Sequence, residues 1–328
     1  MAEFVRGERS GKEDFMTVGI DRMAERKWGV FTHYLYSVQN NPESPMNQGA
    51  GETDWNTCVD ELNVERIAKS LAEVGAGYYF FTLMQGRKYM AAPNKTFDGI
   101  AQTKPGEACS LRDLPADIHR ALAPHQIDLY LYYTGDGPYK DEPEGARFGF
   151  LEPRQNVSRD FVDKWAAVLQ EYAARYGQRV SGWWIDGCYK GAFGYTDDLL
   201  ELYWKACKIG NPECIVALNN GVKEYLHKNF AREDFICGEF NDFTVIPHGR
   251  YIEGAQAHIL APLGLATAGN IYDAWCKPGC KRSKEYMLEY VKRVNDAGGA
   301  VTIDVCLYRD GSFDPAQLEV LDYIGSHI

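Results

Sequence analysis

Two acidic side chains stand at the ends of apolar runs, where a carboxylate is costly to keep unless it is hydrogen-bonded or used. Asp186 closes Gly182-Trp183-Trp184-Ile185 and is followed at once by Gly187. Glu239 closes Phe235-Ile236-Cys237-Gly238. Taken singly, an acid such as Asp186 can simply cap the turn that follows it. Two carboxylates aimed at one cleft, however, are what hydrolysis of a glycosidic bond requires. One acid protonates the leaving oxygen, and the other attacks the anomeric carbon or activates water. Their separation along the chain says nothing of their separation in space, so retention and inversion both stay open on this pattern.

Other polar side chains fall at comparable places. His33 follows an apolar run, Tyr132 and Tyr133 end another, Asn219 and Asn220 end a third, and Asp304 interrupts a fourth. Trp184 shares the parity of Asp186, because strand side chains alternate between faces. Each of these has a bland explanation in core packing or turn capping. As a set they form a polar ring at one mouth, which packing explains less well. Competing chemistry is weakly supported: the chain has no GxGxxG, Walker A, HExxH or GxSxG pattern and no pair of histidines at metal-ligand spacing. Cys276 and Cys280 are close enough in sequence to pair or bind metal, but no second Cys/His cluster is nearby. The expectation is a hydrolase with no cofactor and no metal.

The elements that must position these residues alternate. Strands are expected at 28–35, 78–83, 127–134, 180–187, 214–220, 235–240, 257–263 and 300–308, with helical patterns between them at 63–76, 111–125, 158–177, 197–210, 283–299 and 314–328. Asn63 and Ser158 are placed as N-caps, Gly177 as a helix stop, and Asp314-Pro315 as a cap followed by a first-turn proline. The strands read as continuously apolar, as expected when both faces are covered. Eight strands alternating with helices predict a (β/α)8 barrel of the TIM type, an α/β fold, with residues 1–328 as one catalytic domain. In that architecture functional groups project from the C-terminal ends of the strands, where Asp186 and Glu239 stand.

Composition narrows the class. A net charge of −11 argues against nucleic acid or anionic membrane as partner, and the high aromatic content, 21 Tyr and 7 Trp, suits a carbohydrate, whose ring faces stack on aromatic side chains. A Tyr-rich core accounts for the same aromatics. No run of 18 apolar residues appears, and the N-terminus lacks the apolar core of a signal peptide, so a cytoplasmic location is expected unless a leader was removed. The nine cysteines, an odd number set largely in apolar runs, read as buried thiols.

At these residues the chain resembles the α-L-fucosidase family of retaining glycoside hydrolases. Residues 27–38 resemble the family's first-strand pattern Phe-Gly-Ile-Phe-x-His-Trp-Gly-x-Tyr-Ser-Val, which implies a sugar-binding role for His33. Residues 75–86 and 110–134 resemble its second and third strands and the helix between them. Residues 183–187 resemble the Trp-Phe-Asp-Gly signature around the nucleophile, which assigns that role to Asp186. Residues 298–328 resemble the ending of the barrel. The chain departs from the pattern where the family carries a His-His pair after the second strand. Here Gln85 stands in that region and Asp304 replaces the closing-strand Asn, and a barrel without the C-terminal β-sandwich is expected. The resemblance implies a divergent, exo-acting retaining glycosidase. Asp186 is the expected nucleophile and Glu239 the acid/base, the latter placed by its strand end and not by a motif. Trp184, Tyr133 and Trp275 are expected to form an apolar wall, and His33, Gln85, Asn219 and Asp304 to complete the sugar site. The alternatives are a sugar-binding barrel that has lost catalysis and a barrel enzyme acting on a non-glycosidic substrate.

Overall fold

The structure is a computed structural model that describes residues 11–267 and 270–328. Nine strands are present among them: β1 (Trp28–Thr32), β2 (Tyr78–Thr82), β3 (Asp128–Thr134), β4 (Gly182–Asp186), β5 (Ile215–Leu218), β6 (Tyr251–Ile252), β7 (Ala255–Gln256), β8 (His258–Pro262) and β9 (Ala300–Val305). Seven of them form one curled parallel sheet in the order β5-β4-β3-β2-β1-β9-β8, and β6 pairs with β7 in a short antiparallel hairpin. The fold is α/β and compatible with a TIM-like barrel, but it is not the closed eight-stranded barrel expected from the pattern.

The departure lies at residues 235–240. This segment makes only isolated bridges, Phe235 with Gln256 and Glu239 with Leu260. It still runs between the two edge strands. On one side the Asp234 amide donates to the Val216 carbonyl at 2.9 Å. On the other, the amides of Ile236 and Phe240 donate to Gln256 and Leu260, each at 2.9 Å, and the Leu260 amide donates to Gly238 at 2.7 Å. The ladder breaks for a local reason. Gly238 has φ of 61°, and a Cβ there would lie 1.9 Å from the His258 carbonyl oxygen. Only glycine accepts both the left-handed backbone and the contact. The segment therefore turns as it presses on β8, and Glu239 emerges from that turn.

The predicted helices form where the pattern placed them, including Val64–Glu73, Leu114–Leu122, Arg159–Tyr176, Asp197–Cys207, Lys284–Asp296 and Pro315–Gly325. The side chains of Asn63, Ser158 and Asp314 each accept the backbone N–H three residues on, and so satisfy an otherwise orphaned donor. The helix Arg159–Tyr176 buries Phe161, Trp165, Leu169 and Tyr172 against the outer face of the sheet. Each such side chain contributes about 1.5–3 kcal/mol when fully buried. The N-terminal helix Gly11–Arg26 was not evident from the pattern. Its Ile20 and Met23 join the interior cluster, and its Arg22 and Arg26 pair with the buried Asp128 at the start of β3.

Strand parity sorts the side chains into two layers. Phe31, Tyr78, Phe80, Tyr130, Tyr132, Trp184, Ile215, Ala217 and Leu260 fill the interior. Tyr79, Phe81, Leu131, Tyr133, Trp183 and Ile185 face the helices. Carried one step past the apolar part of each strand, the interior parity delivers His33 from β1, Asp186 from β4, Asn219 after β5 and Asp304 from β9. The C-terminal mouth is polar because this layer changes character there. All nine cysteines are free thiols, seven of them buried. Among the described residues no helix is long and apolar enough to cross a membrane, and no group of His, Cys, Asp and Glu could hold a metal ion.

Candidate active site

Asp186 and Glu239 meet through one nitrogen. The Asn219 Nδ2 donates to Asp186 Oδ1 at 2.8 Å and to Glu239 Oε2 at 2.5 Å. Its amide oxygen accepts the Gly221 N–H at 3.2 Å, which orients the amide with both its hydrogens toward the acids. The two carboxylate oxygens are therefore no further apart than the sum of those two distances.

The acids are otherwise in different surroundings. Asp186 also accepts from the Tyr132 hydroxyl at 2.7 Å and from the Tyr189 hydroxyl at 3.3 Å. Gly187, with φ of 67°, turns the chain away immediately afterwards. Glu239 is half-buried, as Asp186 is, and Asn219 is its one side-chain donor among the described residues. Burial first, and the adjacent Asp186 charge second, push its pKa up to about 8, with the Asn219 hydrogen bond opposing them.

Several interactions hold the segment that carries Glu239. The Trp184 indole N–H donates to the Cys237 carbonyl at 3.1 Å. His258 Nδ1–H is shared between the Ile236 and Cys237 carbonyls at 3.0 and 3.1 Å, and its Nε2 meets Thr302 Oγ1 at 2.7 Å. Burial drives the His258 pKa down to about 4, so this is a neutral structural imidazole.

A cavity of about 230 Å³ opens over the pair. It is lined by His33, Gln85, Tyr132, Trp184, Asp186, Glu239 and Trp275, among others. Tyr132 stacks on Trp184 with centroids 5.4 Å apart, and Trp275 stands edge-on to His33 at 6.1 Å. His33 Nδ1–H donates to Asp304 Oδ2 at 2.9 Å, which leaves Nε2 for a ligand. The other Asp304 oxygen accepts the Cys276 N–H at 2.8 Å, so one buried carboxylate fixes both His33 and the loop bearing Trp275.

The structure thus brings together His33, Gln85, Trp184, Asp186, Asn219, Glu239 and Trp275, with Asp304 directly behind. Tyr133 lies elsewhere. Its ring stacks on Trp165 at 4.9 Å, and its hydroxyl donates to the Trp165 carbonyl in the outer layer. Its neighbour Tyr132 occupies the wall because it, and not Tyr133, is the register partner of Trp184. Tyr189 was missed altogether; nothing in the loop after Asp186 marks it.

No family model matches the chain, and no curated protein matches it in sequence. Solved structures do. An endo-fucoidan hydrolase of glycoside hydrolase family 107 is similar at TM-score 0.66 and 16% identity, over 93% of this chain and 92% of that one. A second endo-fucoidan hydrolase of family 107 is similar at TM-score 0.68 and 13% identity, over 97% of this chain but 54% of that one. An α-L-fucosidase of family 29 from Bacteroides thetaiotaomicron, trapped as a covalent intermediate with 2-fluoro-fucosyl fluoride, is similar at TM-score 0.62 and 14% identity, over 98% of this chain and 76% of that one. At these identities the likeness establishes a shared fold.

Proposed function

We propose that the protein is a retaining glycoside hydrolase acting on a fucose-type sugar, with Asp186 as nucleophile and Glu239 as acid/base. The observation that carries this reading is the single Asn219 nitrogen shared by the two carboxylates. That bridge bounds the separation of the two bonded oxygens, which supports a retaining pair, with carboxyl groups about 5–5.5 Å apart, over an inverting pair, which needs roughly 6.5–9.5 Å to admit a water. The fold shared with fucose-acting hydrolases supports the substrate class.

The chemistry follows from the two environments. An Asp186 oxygen attacks the anomeric carbon as the bond to the leaving oxygen breaks, and Glu239 gives that oxygen its proton. The raised pKa of Glu239 keeps the proton available near neutrality. Once Asp186 is esterified its charge is gone, and one of the two causes of that raised pKa goes with it. Glu239, already a carboxylate after giving up its proton, is therefore kept ionised; it takes a proton from water, and the water oxygen displaces Asp186 from the anomeric carbon. In this reading His33 and Gln85 bind sugar hydroxyls, and Tyr132, Trp184 and Trp275 supply the apolar wall. Action is exo, on a terminal unit, with residues 1–328 as one catalytic unit.

The test is an Asp186→Ala variant assayed on an aryl α-L-fucoside with and without azide. Loss of turnover, and its restoration by azide with a glycosyl azide as product, is expected. A wild type that binds fucose but turns over no aryl glycoside defeats the reading and leaves a sugar-binding barrel.

A further inference from the structure

A second cavity, of about 360 Å³, lies beside the first and is larger than it. Ser37 lines both. Its side chain is exposed and has no hydrogen-bond partner among the described residues. The second cavity is built mainly from the two loops that follow β1 and β2. Its wall is the Tyr36–Tyr89 pair, stacked at 3.8 Å with planes 10° apart. Tyr36 donates its hydroxyl to Glu52 at 2.6 Å, which fixes the ring and the carboxylate together. Arg87 stands on the same rim with one side-chain partner among the described residues, Asp141 at 3.2 Å, which leaves most of its five N–H donors without one there. The lining thus offers a guanidinium, a carboxylate, a free hydroxyl and a fixed aromatic wall. One cation and one anion in the same rim favour a neutral, hydroxyl-rich ligand over a charged one.

We infer that this cavity is a binding subsite for the sugar unit next to the one held over Asp186, and that the substrate is therefore an oligosaccharide chain. The inference rests on the glycosidase reading for the first cavity. Arg87 and Ser37 donate to the hydroxyls of the adjoining unit, Glu52 accepts from them, and the tyrosine pair bounds its apolar side. The aryl group of a synthetic glycoside has no hydroxyls to offer these polar groups.

The experiment measures kcat/KM of the full chain on p-nitrophenyl α-L-fucoside and on fuco-oligosaccharides prepared from desulfated fucoidan. Both are repeated with Arg87→Ala and Glu52→Gln, and binding of the oligosaccharides and of free fucose is followed by calorimetry with Asp186→Asn. The expected result is a fall of about tenfold in the ratio of oligosaccharide to aryl-glycoside kcat/KM for Arg87→Ala, the size of a lost charged hydrogen bond. Oligosaccharide affinity should fall with it while fucose affinity holds. If the ratio is unchanged in both variants while the aryl glycoside is still cleaved, the subsite is refuted and the glycosidase reading stands. A wild type that neither binds nor cleaves either sugar overturns both.

Discussion

Replacing Asp186 by Asn keeps the side-chain shape and removes one charge, which makes Glu239 a reporter of the distance between the acids. Two oxygens sharing the Asn219 nitrogen at 2.8 and 2.5 Å cannot be far apart. Two unit charges about 5 Å apart at an effective dielectric of about 20 interact by about 3 kcal/mol. That energy corresponds to about two pH units. In the wild type Glu239 titrates near 8, with burial the larger cause and Asp186 the second. In Asp186→Asn it should titrate about two units lower, near 6, still above an ordinary glutamate because burial remains. The assay is carboxyl-carbon NMR of protein labelled at glutamate, with the Glu239 resonance assigned by its loss in Glu239→Gln. A shift of less than about half a unit would mean that the two charges do not feel each other, and the proposed pairing would fail.

Four further outcomes are expected. Because the folded-state pKa of Glu239 lies above its unfolded value, folding takes up a proton between the two, so stability falls as pH rises from about 4.5 to about 8. Glu239→Gln removes that linkage, and its melting temperature should match wild type near about pH 4 and exceed it near about pH 9; a constant gap argues against the raised pKa of Glu239. Asn219→Ala should cut kcat/KM by about a hundredfold and, since that hydrogen bond holds the Glu239 pKa down, move the alkaline limb of the pH–rate profile upward. Gly238→Ala places a Cβ against the His258 carbonyl at a positive φ, and urea denaturation should show a loss of more than about 2 kcal/mol. Asp304→Ala frees both His33 and the Cys276 amide, so KM should rise more than kcat falls.

Much of this site is legible in the amino-acid sequence. The alternation of apolar runs and helical patterns placed seven strands of the parallel sheet, because strands covered on both faces leave an apolar signature that needs no knowledge of their partners. Their places at the ends of apolar runs then marked His33, Asp186 and Asn219, and Asp304 stood out as the acid that interrupts one. What failed did so for tertiary reasons. Choosing between Tyr132 and Tyr133 requires the register of β3 against β4, and register is a relation between strands that neither carries alone. Residues 235–240 have the composition of a strand, and their ladder breaks because Gly238 meets the His258 backbone, a contact 20 residues away in sequence. The helix Gly11–Arg26 has a narrow apolar face, and its Ile20 and Met23 acquire a role only once the strands leave an end of the interior to be covered.

The division of labour between the two acids also depends on what surrounds them. Among the described residues no lysine or arginine forms an ion pair with either carboxylate. A cation against Glu239 would favour its ionised form and remove the proton that the leaving oxygen needs. The site distinguishes its acids by hydrogen-bond count instead. Asp186 receives three neutral donors, from Tyr132, Tyr189 and Asn219, while Glu239 receives one side-chain donor among the described residues. Neutral donors support a negative charge without fixing it permanently, so each acid can change state when the other does. Esterification of Asp186 lowers the proton affinity of Glu239, and release of Asp186 restores it. Asn219 spans both acids in either state, because its two N–H groups can donate to a carboxylate, an ester or the carbonyl of a protonated acid alike. An aspartate at position 219 would supply acceptors and a third charge where two donors are needed. Asn219→Asp should therefore damage turnover more than Asn219→Ala, although it is the closer match in shape.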